Sequence, residues 1–247
     1  MSGAGAVVLV AHGSRHPKAA LTTHALARAV SAARPGLDVH TAYLDHAGPR
    51  PGAVLAELDA AGVPSATVVP LLLTSAYHGK VDLPAALASA REEGVRLPVR
   101  RTDVLGPVAG QVPPALLAGL RRRLDELGVD YDAVALLAAG TRDTAARRTV
   151  HEAAAALGAA LGVACRAGFA SGPGPRVEEV TPALRAAGAR RVVCAAYFLA
   201  TGVLYQSAAA AARAVGAVAV AEPLGAAPEL ARLILARVDA AAAQSPL

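Results

Sequence analysis

The sequence is poor in residues that mark several protein classes. Only 3% of its 247 residues are aromatic, and its basic residues are scattered rather than gathered in one tract. A formal net charge of +5 therefore gives little support for nucleic-acid binding. The two cysteines, Cys165 and Cys194, lack the CxxC spacing of a thiolate metal site. We interpret both as small, reduced core residues, which favours a cytoplasmic location.

Export and membrane signals are also missing. The amino terminus lacks the basic start of a signal peptide, and its apolar run is interrupted by His12 and Arg15. The longest uncharged stretch, residues 192–212, is long enough to cross a bilayer, but Thr201 and Gln206 interrupt it. We expect a strand, a loop and a helix along this stretch, and no association with membranes.

Two enzyme classes lack their motifs. No G-x-S-x-G nucleophile elbow occurs in the chain, which argues against an α/β-hydrolase. The segment "HGKV", residues 78–81, lacks the upstream glycine and the Ser or Thr of a P-loop, and no G-x-G-x-x-G opens a helix. A nucleotide-phosphate site is therefore not expected.

The chain does contain an internal repeat. "LVAHGSRHPKAA" from residue 9 resembles "LLAAGTRDTAAR" from residue 136, an offset of 127. "AYLDHAGPR" from residue 42 resembles "GFASGPGPR" from residue 168, and "PLLLTSAYH" from residue 70 resembles "AYFLATGVL" from residue 196, both at 126. Nearly equal offsets indicate a duplication. We predict an N-terminal lobe over residues 1–127 and a degenerate repeat over 128–247.

Each half alternates short apolar runs with helical segments. The runs predicted as strands are "AVVLVA", "LDVHTAYL", "ATVVPLLL" and "VRRTDVL" in the first half, and "AVALLAA", "VACRAGFA", "RRVVCAAYFL" and "AVAVAEPL" in the second. Strands that alternate with amphipathic helices indicate a parallel sheet covered on both faces. The expected fold class is α/β, with two doubly wound parallel-sheet lobes.

Three side chains of the first half follow predicted strands. His12, Asp45 and His78 come after the first, second and third strands. In open parallel sheets, ligands bind beyond the carboxyl ends of the strands, so these side chains can converge on one ion. Two imidazoles and a carboxylate suit a borderline divalent metal such as iron(II), cobalt(II), nickel(II) or zinc.

The second half serves as an internal control for this prediction. Its repeat positions carry Ala139, Ser171 and Leu204 in place of the three candidate ligands, whereas scaffold residues such as Gly13 and Arg15 are retained as glycine and arginine. Joint loss of three residues that are distant in sequence suggests that they act as one site.

The other histidines are interpreted differently. His24 and His151 lie in helical segments as surface or boundary residues, His40 lies within a strand, and His16 is a helix-start residue beside a proline. His46 neighbours Asp45, but alternation along an extended chain would turn it to the opposite face.

Three motifs together resemble the sirohydrochlorin chelatases of the CbiX/SirB group, which are related in fold to ferrochelatase. They are "LVAHGSR" from residue 9, "AYLD" from residue 42 and "PLLLTSAYHGKVDLP" from residue 70, and the resemblance covers most of the chain. It implies a lyase that inserts a divalent metal into a tetrapyrrole without ATP, in a cleft between the two lobes.

By this resemblance, His12 and His78 match the family's metal-handling and catalytic histidines, and Asp45 falls where an acidic residue, commonly Glu, assists. The sequence departs from the family in three places. Asp45 is one methylene shorter than Glu, His16 stands where Asp or Asn is common, and "TSAYH" replaces the usual Pro-Gly before Tyr-His. These departures bear on the preferred metal more than on the reaction.

The resemblance also implies a polycarboxylate substrate. Arg15, Lys80 and Arg142 would suit its carboxylates, and the alternative for each is a solvated surface charge. Small residues near the histidines either let backbone amides approach the substrate or only form tight turns. They are Gly13, Ser14, Ser75 and Gly79.

Several expectations about function follow. Iron(II) insertion into sirohydrochlorin to make sirohaem is the first hypothesis, and cobalt insertion for cobalamin synthesis is the alternative. The metal, Fe2+, Co2+ or Ni2+, is a substrate, and no permanently bound cofactor is expected. A non-catalytic metal or tetrapyrrole carrier would use the same residues but would not turn over. The chain is expected to act as a monomer or homodimer.

Overall fold

The computed structural model of the chain describes residues 5–243, except for the side chain of His78. Strands and helices alternate along most of this range. The strands are β1 (Ala6–Ala11), β2 (Val39–Tyr43), β3 (Ala66–Pro70), β4 (Val99–Arg101), β5 (Ala133–Ala138), β6 (Ala164–Phe169) and β7 (Val192–Tyr197). The helices are α1 (Pro17–Ala33), α2 (Pro51–Ala60), α3 (Leu83–Glu92), α4 (Pro114–Asp125), α5 (Thr144–Leu161), α6 (Val177–Ala186), α7 (Val203–Ala214) and α8 (Pro228–Ala242). A π-helical turn, His78–Asp82, precedes α3.

The strands form two parallel sheets, as the sequence predicts. Their orders are β2-β1-β3-β4 and β6-β5-β7. The chain leaves β1 for β2 on one side and then returns to β3 on the other, so right-handed crossovers place α1 and α2 on opposite faces. This reversal of direction creates a crevice at the carboxyl ends of β1 and β3.

Burial on both faces explains why the central strands are almost entirely apolar. Every residue of β5 and β7 is buried, and so are the first five residues of β1. Branched and small side chains such as Val8 and Ala195, both 0% exposed, fill the space between strand and helix. Of the two free cysteines, Cys194 lies in this core, as predicted, whereas Cys165 is only partly buried on the edge strand β6.

The described chain forms two compact units that differ from the two halves of the sequence. Unit 1 contains the residues up to Leu105 together with those from Ala226, and unit 2 contains Gly106–Gly225. Helix α8 packs on α1, β3 and β4 in unit 1, and α4 packs on α5 and β7 in unit 2. The predicted boundary between residues 127 and 128 describes where the sequence repeats join and stays a prediction. The compact units have their own boundaries, after Leu105 and after Gly225.

The strand predictions hold except near the end of the second half. The segment "AVAVAEPL" forms a single parallel bridge between Val220 and Cys194 rather than a strand. Pairing ends there because Pro223 has no N–H to donate to a neighbouring strand.

Residues 192–212 form a strand, a loop and a helix, as predicted. In the part of the chain that the structure describes, no helix is long and apolar enough to span a membrane.

One tight turn occurs in both units. Gly13 has a φ of +95°, and a Cβ atom there would lie 1.7 Å from the Asp45 carbonyl oxygen. Gly140, at its repeat position, has a φ of +96°, and a Cβ atom there would lie 1.9 Å from the Ser171 carbonyl oxygen. Only glycine fits either turn without movement of the neighbouring backbone. Since the second unit keeps the turn after losing the candidate ligands, tight turn formation explains Gly13 by itself.

We predict that Gly13→Ala and Gly140→Ala destabilise the fold by similar amounts. Each substitution adds backbone strain and a clash with a carbonyl group, and each effect costs about 1–3 kcal/mol. Gly36→Ala is the control, because Gly36 has a φ of +82° but a Cβ atom there would meet nothing within 4 Å. Thermal and denaturant unfolding should therefore rank both turn variants below Gly36→Ala, and equal stability of all three would contradict the role of the close contact.

Candidate functional site

The predicted site residues lie at the carboxyl ends of adjacent strands. His12 follows β1 directly, Asp45 comes two residues after β2, and His78 begins the π-helical turn that follows β3. Because the sheet order reverses at β1, the loops after β1 and β3 border the crevice where ligands bind in this type of sheet. The topology therefore supports the predicted edge. The side chain of His78 itself lies outside the described part of the chain.

A backbone hydrogen bond joins the loops that carry His12 and Asp45. The Asp45 N–H donates to the His12 carbonyl oxygen at 2.7 Å, and the Leu44 N–H donates to the Ala11 carbonyl oxygen at 3.0 Å. These bonds continue the pairing of β1 with β2 beyond the ends of the strands. His12 is half-buried, its Nδ1 atom is shielded from solvent, and Asp45 is exposed. The two candidate ligands are thus held side by side at the sheet edge.

The carboxylate of Asp45 is surrounded by positive or hydrogen-donating groups. Its Oδ1 atom accepts the His46 N–H at 2.8 Å and lies 3.8 Å from the Arg50 guanidinium. Its Oδ2 atom lies 3.4 Å from His46 Nε2. The backbone N–H of His46, followed by the electrostatic influence of His46, Arg50 and His12, lowers the pKa of this carboxyl below its usual value. Asp45 therefore remains a carboxylate when the pH falls below neutrality.

His46 lies on the same side as His12, contrary to the alternation argument. Its backbone has a φ of +58°, a left-handed conformation that turns the chain out of the extended form. As a result, its imidazole stacks on that of His12, with ring centroids 6.0 Å apart and planes at 9°. Sequence reasoning missed this residue because alternation holds only for extended backbone. The repeat position gives the signal that could have found it, since Gly172 occupies it.

The loop after β3 presents several candidate substrate-binding residues. Ser75 and Lys80 are exposed, and so are the apolar side chains of Tyr77, at 63%, and Val81, at 44%. Arg101 of β4 donates to the carbonyl oxygen of Gly79 at 3.3 Å, which ties the π-helical turn to the sheet. π-Helical turns are rare in proteins, and those that occur often lie at functional sites.

Ser14 has a structural partner in the first loop. Its hydroxyl accepts the His16 N–H at 3.0 Å, and Thr141 accepts the Asp143 N–H at 3.1 Å at the repeat positions. His16 is the N-cap of α1, as predicted, and its Nδ1 atom accepts the Lys18 N–H at 3.3 Å. Formation of this turn is therefore enough to explain why a serine stands at residue 14. Arg15 and Arg142, which follow these turns in units 1 and 2, are both exposed.

The remaining histidines have contacts away from this edge. His24 lies near hydroxyl groups at both ring nitrogens, 3.3 Å from Thr41 Oγ1 and 3.4 Å from Tyr43 Oη. His151, at the repeat position of His24, packs edge-on against Phe169. His40 Nε2 lies 2.8 Å from Asp38. A cavity of about 530 Å³ beside β2 is lined partly by His24 and His40 but by none of the predicted site residues.

The second unit keeps the backbone of the site without its candidate ligands. The Ser171 N–H donates to the Ala139 carbonyl oxygen at 3.0 Å, matching the bond between Asp45 and His12. The Ser171 hydroxyl donates to that same carbonyl oxygen at 2.7 Å, and Leu204 lies in α7 with 45% exposure. At the His12 and Asp45 positions the units therefore share this backbone hydrogen bond and differ in their side chains, which is the pattern expected when only one copy keeps a function.

The described side chains do not form a closed metal cage. Among residues 5–243 apart from His78, no three His, Cys, Asp or Glu side chains are grouped in a geometry that could hold a metal ion. His46 lies near both His12 and Asp45, but the three side chains do not form such a group.

Comparison with known proteins identifies similar chains. The family model described as CbiX matches residues 6–126 and 133–241, which correspond to the two repeats. SirB from Bacillus subtilis with Fe3+ is 23% identical, with a TM-score of 0.83 over 97% of this chain and 96% of that chain. SirB from Bacillus subtilis subspecies spizizenii, in complex with cobalt, is 21% identical, with a TM-score of 0.79 over 96% and 95%.

A third solved structure is also similar. It is CbiX, the terminal enzyme for biosynthesis of siroheme in denitrifying bacteria, at 24% identity and a TM-score of 0.68 over 96% of this chain and 99% of that chain. Comparison with curated protein sequences gave no significant match. At these identities the solved structures establish a shared fold.

We predict that the Asp45 carboxyl titrates below the usual range for aspartate. Its folded-state pKa is lowered, so its contribution to stability is present above the unfolded-state pKa and is lost as the pH falls through the folded-state value. Carbon-13 NMR of the side-chain carboxyl measures this midpoint. Arg50→Ala should raise it by removing one positive charge, whereas Arg148→Ala, which alters an exposed ion pair on α5, should leave it unchanged. A midpoint at or above the usual value would contradict the described contacts.

Proposed function

Because the chain belongs to the CbiX family, we propose that it inserts a divalent metal into sirohydrochlorin without ATP, with iron(II) as the metal and sirohaem as the product. The observation that carries this proposal is the asymmetry of the repeats. Both copies match the family model and share one backbone turn. Only the first copy has a histidine and an aspartate at the strand ends, His12 and Asp45. Cobalt insertion for cobalamin synthesis is the second candidate, because one similar structure holds cobalt.

The proposed reaction exchanges two protons for one ion. The metal loses water ligands, two pyrrole N–H groups each lose a proton, and the dianionic macrocycle binds the divalent ion. An imidazole has an ordinary pKa of about 6.5 and can therefore bind a metal or accept a proton near neutral pH. We assign these roles to His12 and to His78, which the sequence places after β3. Asp45, held as a carboxylate, offsets the charge of the ion.

The proposed substrate-binding residues follow from charge and exposure. Arg15 and Lys80 in unit 1 and Arg142 in unit 2 are exposed cations that suit the carboxylates of the tetrapyrrole. Tyr77 and Val81 expose apolar surface on the loop after β3 and suit the face of the macrocycle. The substrate's charged rim and apolar face would thus meet different side chains.

The second repeat is proposed to contribute binding surface rather than metal ligands. Ala139 and Ser171 offer neither an imidazole nor a carboxylate at the positions of His12 and Asp45. We further propose that the protein acts in the cytoplasm. Its two cysteines are free thiols and form no disulfide, which fits a reducing compartment.

Turnover separates an enzyme from a metal or tetrapyrrole carrier. We expect a small amount of protein, mixed with excess sirohydrochlorin and iron(II) under anaerobic conditions, to yield many equivalents of metallated product. Absorbance of the product measures the yield, and reactions without protein give the spontaneous rate. Formation of a single equivalent would identify a carrier and overturn the proposed enzymatic function. Parallel reactions with cobalt(II) and nickel(II) rank the metals.

We predict that His12→Ala and His78→Ala each lower the insertion rate by at least the roughly hundredfold typical of losing a general base. The double variant should be little worse than either single variant, because residues that act as one unit are not additive. Asp45→Glu should retain much of the activity, since a carboxylate remains.

Ala139→His is the matched control for these variants. It places an imidazole at the repeat position of His12 and should add no activity, because Ser171 and Leu204 supply no further ligand. Steady-state rates and tetrapyrrole titrations on folded variants provide the measurements. Near-normal turnover in His78→Ala would show that this residue serves only the loop.

A further inference from the structure

His46 holds a backbone conformation that favours glycine. Among residues 5–243, only His46 and Ala109 have positive φ without being glycine, at +58° and +50°. In this conformation the Cβ atom of an L-residue lies close to the following carbonyl oxygen, which makes the left-handed region less stable than the right-handed one. Glycine, which has no Cβ atom, would hold this turn with less strain than histidine.

The repeat shows what this turn requires. Gly172, 126 residues after His46, has a φ of +73°, so the same left-handed conformation is present in unit 2 with the residue that suits it best. Since the turn forms with glycine, the imidazole is not needed to build it. A role for the His46 imidazole should therefore involve residues that unit 1 has and unit 2 lacks.

The contacts of His46 are with the two candidate ligands. The backbone N–H of His46 donates to Asp45 Oδ1 at 2.8 Å, and the imidazole Nε2 atom lies 3.4 Å from Asp45 Oδ2, so the side chain itself contacts the carboxylate through the second of these. Its ring also stacks on the His12 ring at 6.0 Å. The His46 side chain thus lies beside the carboxylate and parallel to the His12 imidazole.

We propose that His46 is a positioning residue for metal capture, which holds Asp45 and His12 side by side before the metal arrives. This inference rests on the proposed function and concerns the same edge of unit 1. Ligands that are already oriented lose less conformational freedom when an ion binds, so the ion binds more tightly. Partners that orient metal ligands typically contribute a factor of about 10–100 to metal affinity.

The test is His46→Gly, which keeps the left-handed turn and removes the imidazole. We expect its affinity for cobalt(II), titrated against a competing chelator without tetrapyrrole, to fall by about 10- to 100-fold. Its thermal midpoint should stay constant or rise, because glycine relieves the backbone. A residue with a merely structural role would lower the midpoint instead. Unchanged or tighter cobalt(II) binding, or a midpoint that falls with the affinity, would overturn the proposal.

Two further variants separate backbone relief from positioning. Ala109→Gly relieves a similar conformation in unit 2 and should raise the midpoint without changing cobalt(II) affinity. His46→Asn tolerates the left-handed conformation and has a side-chain amide donor, whereas His46→Gly keeps only the backbone N–H, so the affinity of the asparagine variant should lie between those of the parent and His46→Gly. An asparagine variant no better than glycine would show that a side-chain donor to the carboxylate is irrelevant.

The outcomes distinguish this inference from the proposed function. If the parent protein binds cobalt(II) but never turns over, the enzymatic function fails and the His46 titration still decides the positioning role. If it turns over, His46→Gly should raise the KM for metal far more than it lowers kcat, with tetrapyrrole affinity unchanged. Failure of the parent to bind cobalt(II) at all would overturn the positioning role directly.

Discussion

The close contact between Gly13 and the backbone of Asp45 is the constraint on which the candidate site depends. With no Cβ atom at residue 13, the Asp45 carbonyl group can lie against it, and the Asp45 N–H can reach the His12 carbonyl oxygen at 2.7 Å. The loops after β1 and β2 are thereby fixed to each other. Side chains on those loops become neighbours because of the backbone, whatever chemistry they carry.

The duplication separates this scaffold from its chemistry. Unit 2 repeats the glycine turn, the hydrogen bond between the loops and the serine or threonine that accepts an N–H at the helix start. It lacks the imidazoles and the carboxylate. Even the pairing of His24 with Tyr43 recurs as His151 with Phe169, which marks that pair as part of the scaffold. The residues that differ include His12 and Asp45, to which we assign metal handling, and His46, which contacts both.

Much of this could be predicted from the sequence, because strand periodicity and repeat offsets report on local backbone. The strands, the parallel sheets and the position of His12 and Asp45 at their ends follow from such patterns. His46 does not, since its side depends on a left-handed φ that alternation ignores. The packing of α8 in unit 1 and of α4 in unit 2 could not be predicted from the sequence either, because the amphipathic pattern of a helix does not specify which sheet it covers.

The central claim is that the metal is handled at the strand ends of unit 1 and not at the matching edge of unit 2. Paramagnetic NMR with cobalt(II) tests it most directly, since induced shifts and line broadening fall steeply with distance from the ion. The amide signals of Gly13, Asp45 and His46 should be shifted or broadened more than those of Gly140, Ser171 and Gly172 at the repeat positions. Equal perturbation of both turns, or perturbation confined to residues elsewhere, would contradict the account.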